Sequence, residues 1–209
     1  MRSDQVVMLH DAARLVSQSS FMSHYFSVAR KGVLLAWFAL IAFCGVYYLI
    51  HPEVFTAEYL AASLLNHKEK LVAIYALLSV VRGFTLLPST PLVLAGALIF
   101  PRQPFLVLFI SMAGILASSA MIYYFADRLG LNDYFAHKYP KKMGQIRERL
   151  ERPSGLLFLL FWAFFPVVPT DLASYVAGVI RMNFWKFIAV VFLGELVLCW
   201  ACIWGIGLI

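Results

Sequence analysis

An apolar run broken by two prolines occurs twice in this chain. The first copy reads Pro88, Ser89, Thr90, Pro91, followed by Ala95-Gly96 and Phe100. The second reads Pro166, Val167, Val168, Pro169, Thr170, Asp171, followed by Ala177-Gly178 and Phe184. Proline removes a backbone donor and clashes with the preceding turn, so neither run is expected to be one unbroken helix. An apolar run long enough to cross a bilayer follows each copy. Open backbone at membrane depth is tolerated only inside protein or beside a watery cavity. Two such breaks in corresponding places point to the binding site of a transporter built from inverted repeats.

Composition agrees with a membrane chain. Hydrophobic residues make up 62% of the sequence and charged residues 13%, and the mean hydropathy is +0.82. These values exclude an ordinary soluble domain. The net charge of +6 does not imply nucleic acid, because the basic residues flank apolar runs. They set topology and meet anionic lipid headgroups. Cys44, Cys199 and Cys202 all lie in apolar segments, and the Cys199-x-x-Cys202 spacing lacks a second ligand pair. It reads as packing rather than redox or metal chemistry.

Residues 1–32 are expected to be a cytoplasmic segment with a short amphipathic helix and no cleaved signal peptide. Residues 33–50 form the first span. Arg30 and Lys31 precede it and Glu53 and Glu58 follow, which puts the N-terminus in the cytoplasm. Residues 53–209 form the main membrane domain, divided into repeats at 53–125 and 127–209. The first opens with an outer amphipathic helix over 53–68, its apolar side made by Val54, Leu60, Leu64 and Leu65. A re-entrant hairpin over 71–101 and a span over 103–125 follow. The second opens with a basic cytoplasmic segment, including a charged helix from Lys141 to Glu151 that stops at Pro153. A second hairpin over 155–181 and a last span from Phe184 follow. The expected fold class is an all-α membrane protein, a polytopic helical bundle with two inverted-repeat re-entrant hairpins.

Few ionisable residues interrupt the apolar runs, and those few are the candidates for function. Arg82 stands just before the first break. It can snorkel, pair structurally, or hold an anionic headgroup. Asp171 stands just after the second break. It can cap the returning half-helix, carry a proton, or pair with Arg82. Glu195 lies inside the last span as a proton carrier or a structural hydrogen-bonding group. Arg181 borders the second hairpin. Ser89, Thr90 and Thr170 supply hydroxyls at the breaks, for freed backbone groups or for phosphate. Pro88, Pro91, Pro166 and Pro169 keep the hairpins broken, and Gly96 and Gly178 allow close packing. The five histidines are scattered without a metal constellation, and no nucleotide loop or nucleophile elbow is present. An enzyme is not expected, and no cofactor is implied.

From Arg82 to Gly207 the chain resembles the DedA superfamily, also called the VTT-domain or SNARE-associated Golgi protein-like family. The resemblance rests on Arg82 with Pro88/Pro91 and Ala95-Gly96, on Tyr123-Tyr124-x-x-Asp127-Arg128-x-Gly130, and on Pro166-x-x-Pro169 with Tyr175-x-Ala177-Gly178. The Tyr-x-x-x-Arg-x-Gly stretch looks like the family's Y-x-x-G-R-x-x-G span end. The second proline pair looks like its R-x-x-P-x-x-P hairpin. The branch with paired prolines in both hairpins looks nearer than the DedA branch proper. Two features depart from the family. Ala163 stands where members often carry arginine, and no acidic residue lies between Arg82 and Phe100. The resemblance implies lipid scrambling or flipping of phospholipid or polyprenyl phosphate, or a role in membrane-potential or pH homeostasis. The expected partners are membrane lipids with anionic or phosphate-bearing headgroups, and the sequence allows a homo-oligomer. A bacterial inner membrane is the expected location. A non-transporting scaffold that organises lipids and a small-ion or proton-coupled exporter are the alternative functions.

Overall fold

The computed structural model describes residues 32–65, 70–128, 131–166 and 168–205. The expected amphipathic N-terminal segment and the last four residues lie outside the described part. The chain divides into two units between Leu40 and Ile41, within the first helix, α1 (Gly32–Ile50), and every later described element belongs to the second. Among the described residues there is no strand. The fold is all-α, as expected.

After α1 come a 3-10 turn (Pro52–Phe55) and α2 (Ala57–Leu65). The single outer helix expected over 53–68 is therefore split at Thr56. The hydroxyl of Thr56 accepts from the Tyr59 N–H at 3.3 Å, so Thr56 caps a new helix instead of continuing an old one. The buried side of α2 is Ala57, Ala61 and Leu64, while Leu65 is exposed. Alanines, which hydropathy ranks low, let α2 approach its neighbours.

Each repeat is a helix, a break, a shorter helix and a span. The first has α3 (Leu71–Val81), a 3-10 turn (Arg82–Thr85), α4 (Thr90–Ile99) and α5 (Pro104–Arg128). A polar pair, α6 (Leu131–Lys138) and α7 (Pro140–Glu151), leads to the second. That repeat has α8 (Pro153–Phe164), α9 (Thr170–Val179) and α10 (Phe184–Gly205). The helix α6 has no counterpart among the elements expected from the sequence. Among the described residues α1, α5 and α10 are long and apolar enough to cross a membrane.

The packing is reciprocal. α3 packs on its own span α5, and α8 on its own span α10. The second helix of each hairpin reaches across, α9 onto α5 and α4 onto α10, while α5 and α10 pack on each other. Glycines make the two equivalent seams. A Cβ on Gly114 would lie 2.4 Å from Ser79 Cβ, and one on Gly194 would lie 2.6 Å from Ala163 Cβ. Closely packed small residues are how helices associate in lipid, where no hydrophobic force separates helix from tail. Gly178 lies as close to the Tyr123 carbonyl, and Gly96 to the Tyr75 ring.

The second hairpin ends in a tight cap. The Met182 N–H donates to the Ala177 carbonyl and the Arg181 N–H to the Gly178 carbonyl. Arg181 itself has φ 50°. This is a Schellman arrangement with arginine in the left-handed position that glycine usually takes. Glu151, at the end of α7, accepts from the Asn183 N–H at 2.9 Å and from Arg147 at 3.1 Å.

Gly194→Val overfills the α8–α10 seam and is expected to cost about 1–3 kcal/mol, read as a lowered melting temperature in detergent. Burial opposes the charge on Glu151, but the Asn183 N–H, Arg147 and Lys186 outweigh it and hold this carboxyl below its ordinary range. Its stabilisation is therefore present above the ordinary carboxylate range and lost as pH falls through the lower folded value. The melting difference between wild type and Glu151→Gln is expected to be largest near neutral pH and to vanish at strongly acid pH.

Candidate functional site

The first break is built by conformation as much as by proline. α3 tightens into the 3-10 turn at Arg82, and Leu86 then takes φ 58°. A non-glycine residue there carries strain. Pro88 follows, but Pro91 sits in the first turn of α4, where a missing N–H costs nothing. Pro91 thus starts α4, and its ring keeps that helix from extending back through the break. In the second break Pro166 lies in a turn and Pro169 is the residue before α9.

The breaks place three ionisable side chains together. Arg82 Nη1 donates to Asp171 Oδ2 at 3.0 Å, with the side chains 9% and 1% exposed. Asp171 stands in the first turn of α9, after the N-cap position held by Pro169. Its carboxylate is turned to Arg82, the pairing that was one of the roles open to it. Arg82 Nη1 also reaches the Leu87 carbonyl at 3.4 Å. Beside the pair, Gly83 is pressed against Asp171 and α5: a Cβ there would lie 2.9 Å from Asp171 Oδ1 and 2.7 Å from Ser118 Cβ. Among the described residues Arg82 Nη2 and Asp171 Oδ1 are buried and lack hydrogen-bond partners. Each keeps unused bonding capacity in a place where unmet polar groups are costly.

Glu195 is fully buried in α10. Its Oε1 accepts from Thr170 Oγ1 at 2.5 Å, and its Oε2 from Ser89 Oγ at 3.5 Å. Thr170 precedes Asp171, so the Ser89–Glu195–Thr170 bonds stand next to the Arg82–Asp171 pair. Nearer the surface, Thr90 Oγ1 donates to the Pro166 carbonyl at 3.0 Å, tying the breaks directly. Arg181 is not part of this cluster. It is exposed beyond the far end of α9, ten positions past Asp171.

Sequence reasoning missed a second row of polar groups. The Tyr75 hydroxyl bonds Ser111 Oγ at 2.7 Å, and Ser79, Ser118 and Ser119 are buried nearby on α3 and α5. Ser111, Gly114 and Ser118 recur at helical spacing, which was the available signal. Tyr123, part of the quoted Tyr-Tyr motif, donates to the Met182 carbonyl at 2.6 Å and fixes α5 to the end of the second hairpin.

One cavity reaches the cluster and a second lies beside the two breaks. One, of about 220 Å³, has apolar walls that include Leu78, Val81, Pro88 and Leu92, with Arg82 as its charged group. The other, of about 420 Å³, is lined by Thr56, Glu58, Thr90, Leu94 and Pro166 among others. A neutral pair with unused donors and acceptors, beside an apolar cavity, can receive a polar head while its apolar part stays in hydrocarbon.

The sequence model of the VTT domain matches residues 87–206. The chain belongs to the VTT-domain, or DedA, family. With its membrane-length apolar helices it is an integral membrane protein. No curated protein and no solved structure matches it. The VTT domain here contains Asp171 and Glu195, while Arg82 lies just ahead of the matched region. Ala163 is packed against Gly194, a seam with no room for a larger side chain, and the cation beside Asp171 comes from the first hairpin.

Breaking a buried ion pair from one side leaves an uncompensated charge and costs about 3–5 kcal/mol, whereas replacing both partners costs much less. Arg82→Gln and Asp171→Asn are each expected to destabilise the protein more than the double variant does. Unfolding free energies in a double-mutant cycle measure this directly.

Proposed function

We propose that this protein translocates phosphate-bearing lipids across the bilayer, the head passing along the cluster between the two breaks while the chains stay in hydrocarbon. The observation that carries the reading is the Arg82–Asp171 pair, formed between the two breaks, with unpartnered atoms on both sides and an apolar cavity next to it. Arg82 attracts the phosphate, and Asp171 balances the charge when the head has left. Glu195, held by Ser89 and Thr170 with no cation bonded to it among the described residues, is the group that takes up a proton during the cycle. The chemistry is binding and movement, with no covalent step. Rocking of one repeat against the other would alternate access, and the reciprocal packing of α4 and α9 supplies two similar arrangements for it. Within the family we place the chain with the branch that has paired prolines in both hairpins. We assign it to a bacterial inner membrane with its N-terminus in the cytoplasm.

A scaffold role would use the same pair only for stability, and the double variant separates the two readings. Purified protein in liposomes with fluorescent phospholipid and polyprenyl-phosphate probes is expected to move lipid. Arg82→Gln/Asp171→Asn is expected to stay folded but lose about 2 kcal/mol of headgroup stabilisation, roughly a thirtyfold drop in rate. A folded wild type that moves no lipid sinks the translocation reading. A double variant as fast as wild type removes the pair from the mechanism.

A further inference from the structure

The two cavities are neighbours with opposite charges in their walls. They share Tyr48, Phe55, Pro88 and Pro91 as walls. Arg82 is the charged residue of the smaller, and Glu58 is the charged residue of the larger. Among the described residues Glu58 is exposed and has no hydrogen-bond or ion-pair partner. Tyr48 and Phe55 form an edge-to-face aromatic corner, with ring centroids 5.2 Å apart. A third cavity, lined by Leu94, Leu98, Ala201 and Cys202, also has Glu58 in its wall and continues along α4 and α10.

The charge count restricts what these cavities can hold. The one guanidinium facing them is already neutralised by Asp171. Among the described residues no second cation lines any of these cavities. Every charge a head brings beyond that must be met elsewhere or left unpaired, which is expensive away from bulk water. A dianionic phosphate monoester brings two negative charges and meets Glu58 as a repulsive neighbour. A phosphodiester brings one negative charge. If it also carries an ammonium group, that charge has a built partner. A carboxylate beside aromatic faces is the chemistry that recognises primary and quaternary ammonium groups.

We infer that Glu58, with Tyr48 and Phe55, is a specificity subsite for the ammonium group of a zwitterionic phospholipid whose phosphate lies at Arg82. This rests on the translocation reading above and adds a headgroup preference to it. Glu58 acts in selection, and Arg82 in transfer. The apolar walls continuing along α4 take an acyl chain.

The test uses the full chain in liposomes with phosphatidylethanolamine and phosphatidylglycerol carrying the same acyl-chain fluorophore. Wild type is expected to move the ethanolamine lipid faster, and polyprenyl phosphate slowest of the three. Partly exposed charge pairs differ in strength by up to about 1 kcal/mol, so Glu58→Gln is expected to lower the ethanolamine-to-glycerol rate ratio about two- to fivefold. Phe55→Leu keeps the apolar wall but removes the aromatic face, and is expected to lower the same ratio. Both positions lie outside the Arg82–Asp171–Glu195 cluster, and a melting curve for each variant confirms folding. If wild type moves both lipids but Glu58→Gln leaves the ratio unchanged, the subsite is overturned and translocation stands. Polyprenyl phosphate moving fastest of the three overturns the subsite in the same way. A wild type that moves no lipid overturns the translocation reading and the subsite with it.

Discussion

The Arg82–Asp171 pair is the constraint on which the rest of the structure depends. Two charges held away from water cost several kcal/mol each, and only close geometry with further hydrogen bonds recovers that. The pair therefore needs both hairpins open at the same depth. A continuous helix at either place would keep its backbone bonds but could not bring these two side chains end to end. The 3-10 turn at Arg82 and the extended backbone at Pro169 provide the openings. Gly83 then lets Asp171 and Ser118 come within a distance that any side chain would forbid. Glu195 and the hydroxyls of Ser89 and Thr170 add a second buried polar group beside the pair.

Much of this was legible in the letters. Membrane spans follow from the length of apolar runs, and the breaks follow from proline, because both signals rest on backbone physics that few contexts override. The candidate site was legible for a related reason: ionisable residues are so rare in these runs that Arg82, Asp171 and Glu195 stand out as candidates. Arg181 looked the same by that rule. It instead terminates α9 at the surface, because its letter does not reveal that the backbone there turns left-handed. Proline was also ambiguous, since Pro91 fits the first turn of α4 as well as a break.

What the letters hid depends on three-dimensional proximity between weakly marked residues. The seam of Gly114 on Ser79 and the seam of Gly194 on Ala163 are equivalent, yet serine and alanine do not look like a repeat. The alanine face of α2 is invisible to a hydropathy rule that rewards leucine. Tyr75 and Ser111 are separated by 36 positions, and nothing in either segment alone announces the bond between them. Thr90 and Pro166 meet through a main-chain carbonyl, which no side-chain pattern encodes.

The partners of the central pair are 89 positions apart, and this separation has a consequence in time. A ribosome adds about 5–20 residues each second, so Arg82 is made roughly 4–18 s before Asp171 exists. Until α9 is made, Arg82 lacks the carboxylate that neutralises it in the finished fold, and a lone charge among apolar helices is costly. The pair is thus a contact that only a chain extending past Asp171 can close, so the two halves of the fold are tied together by their last-made partner.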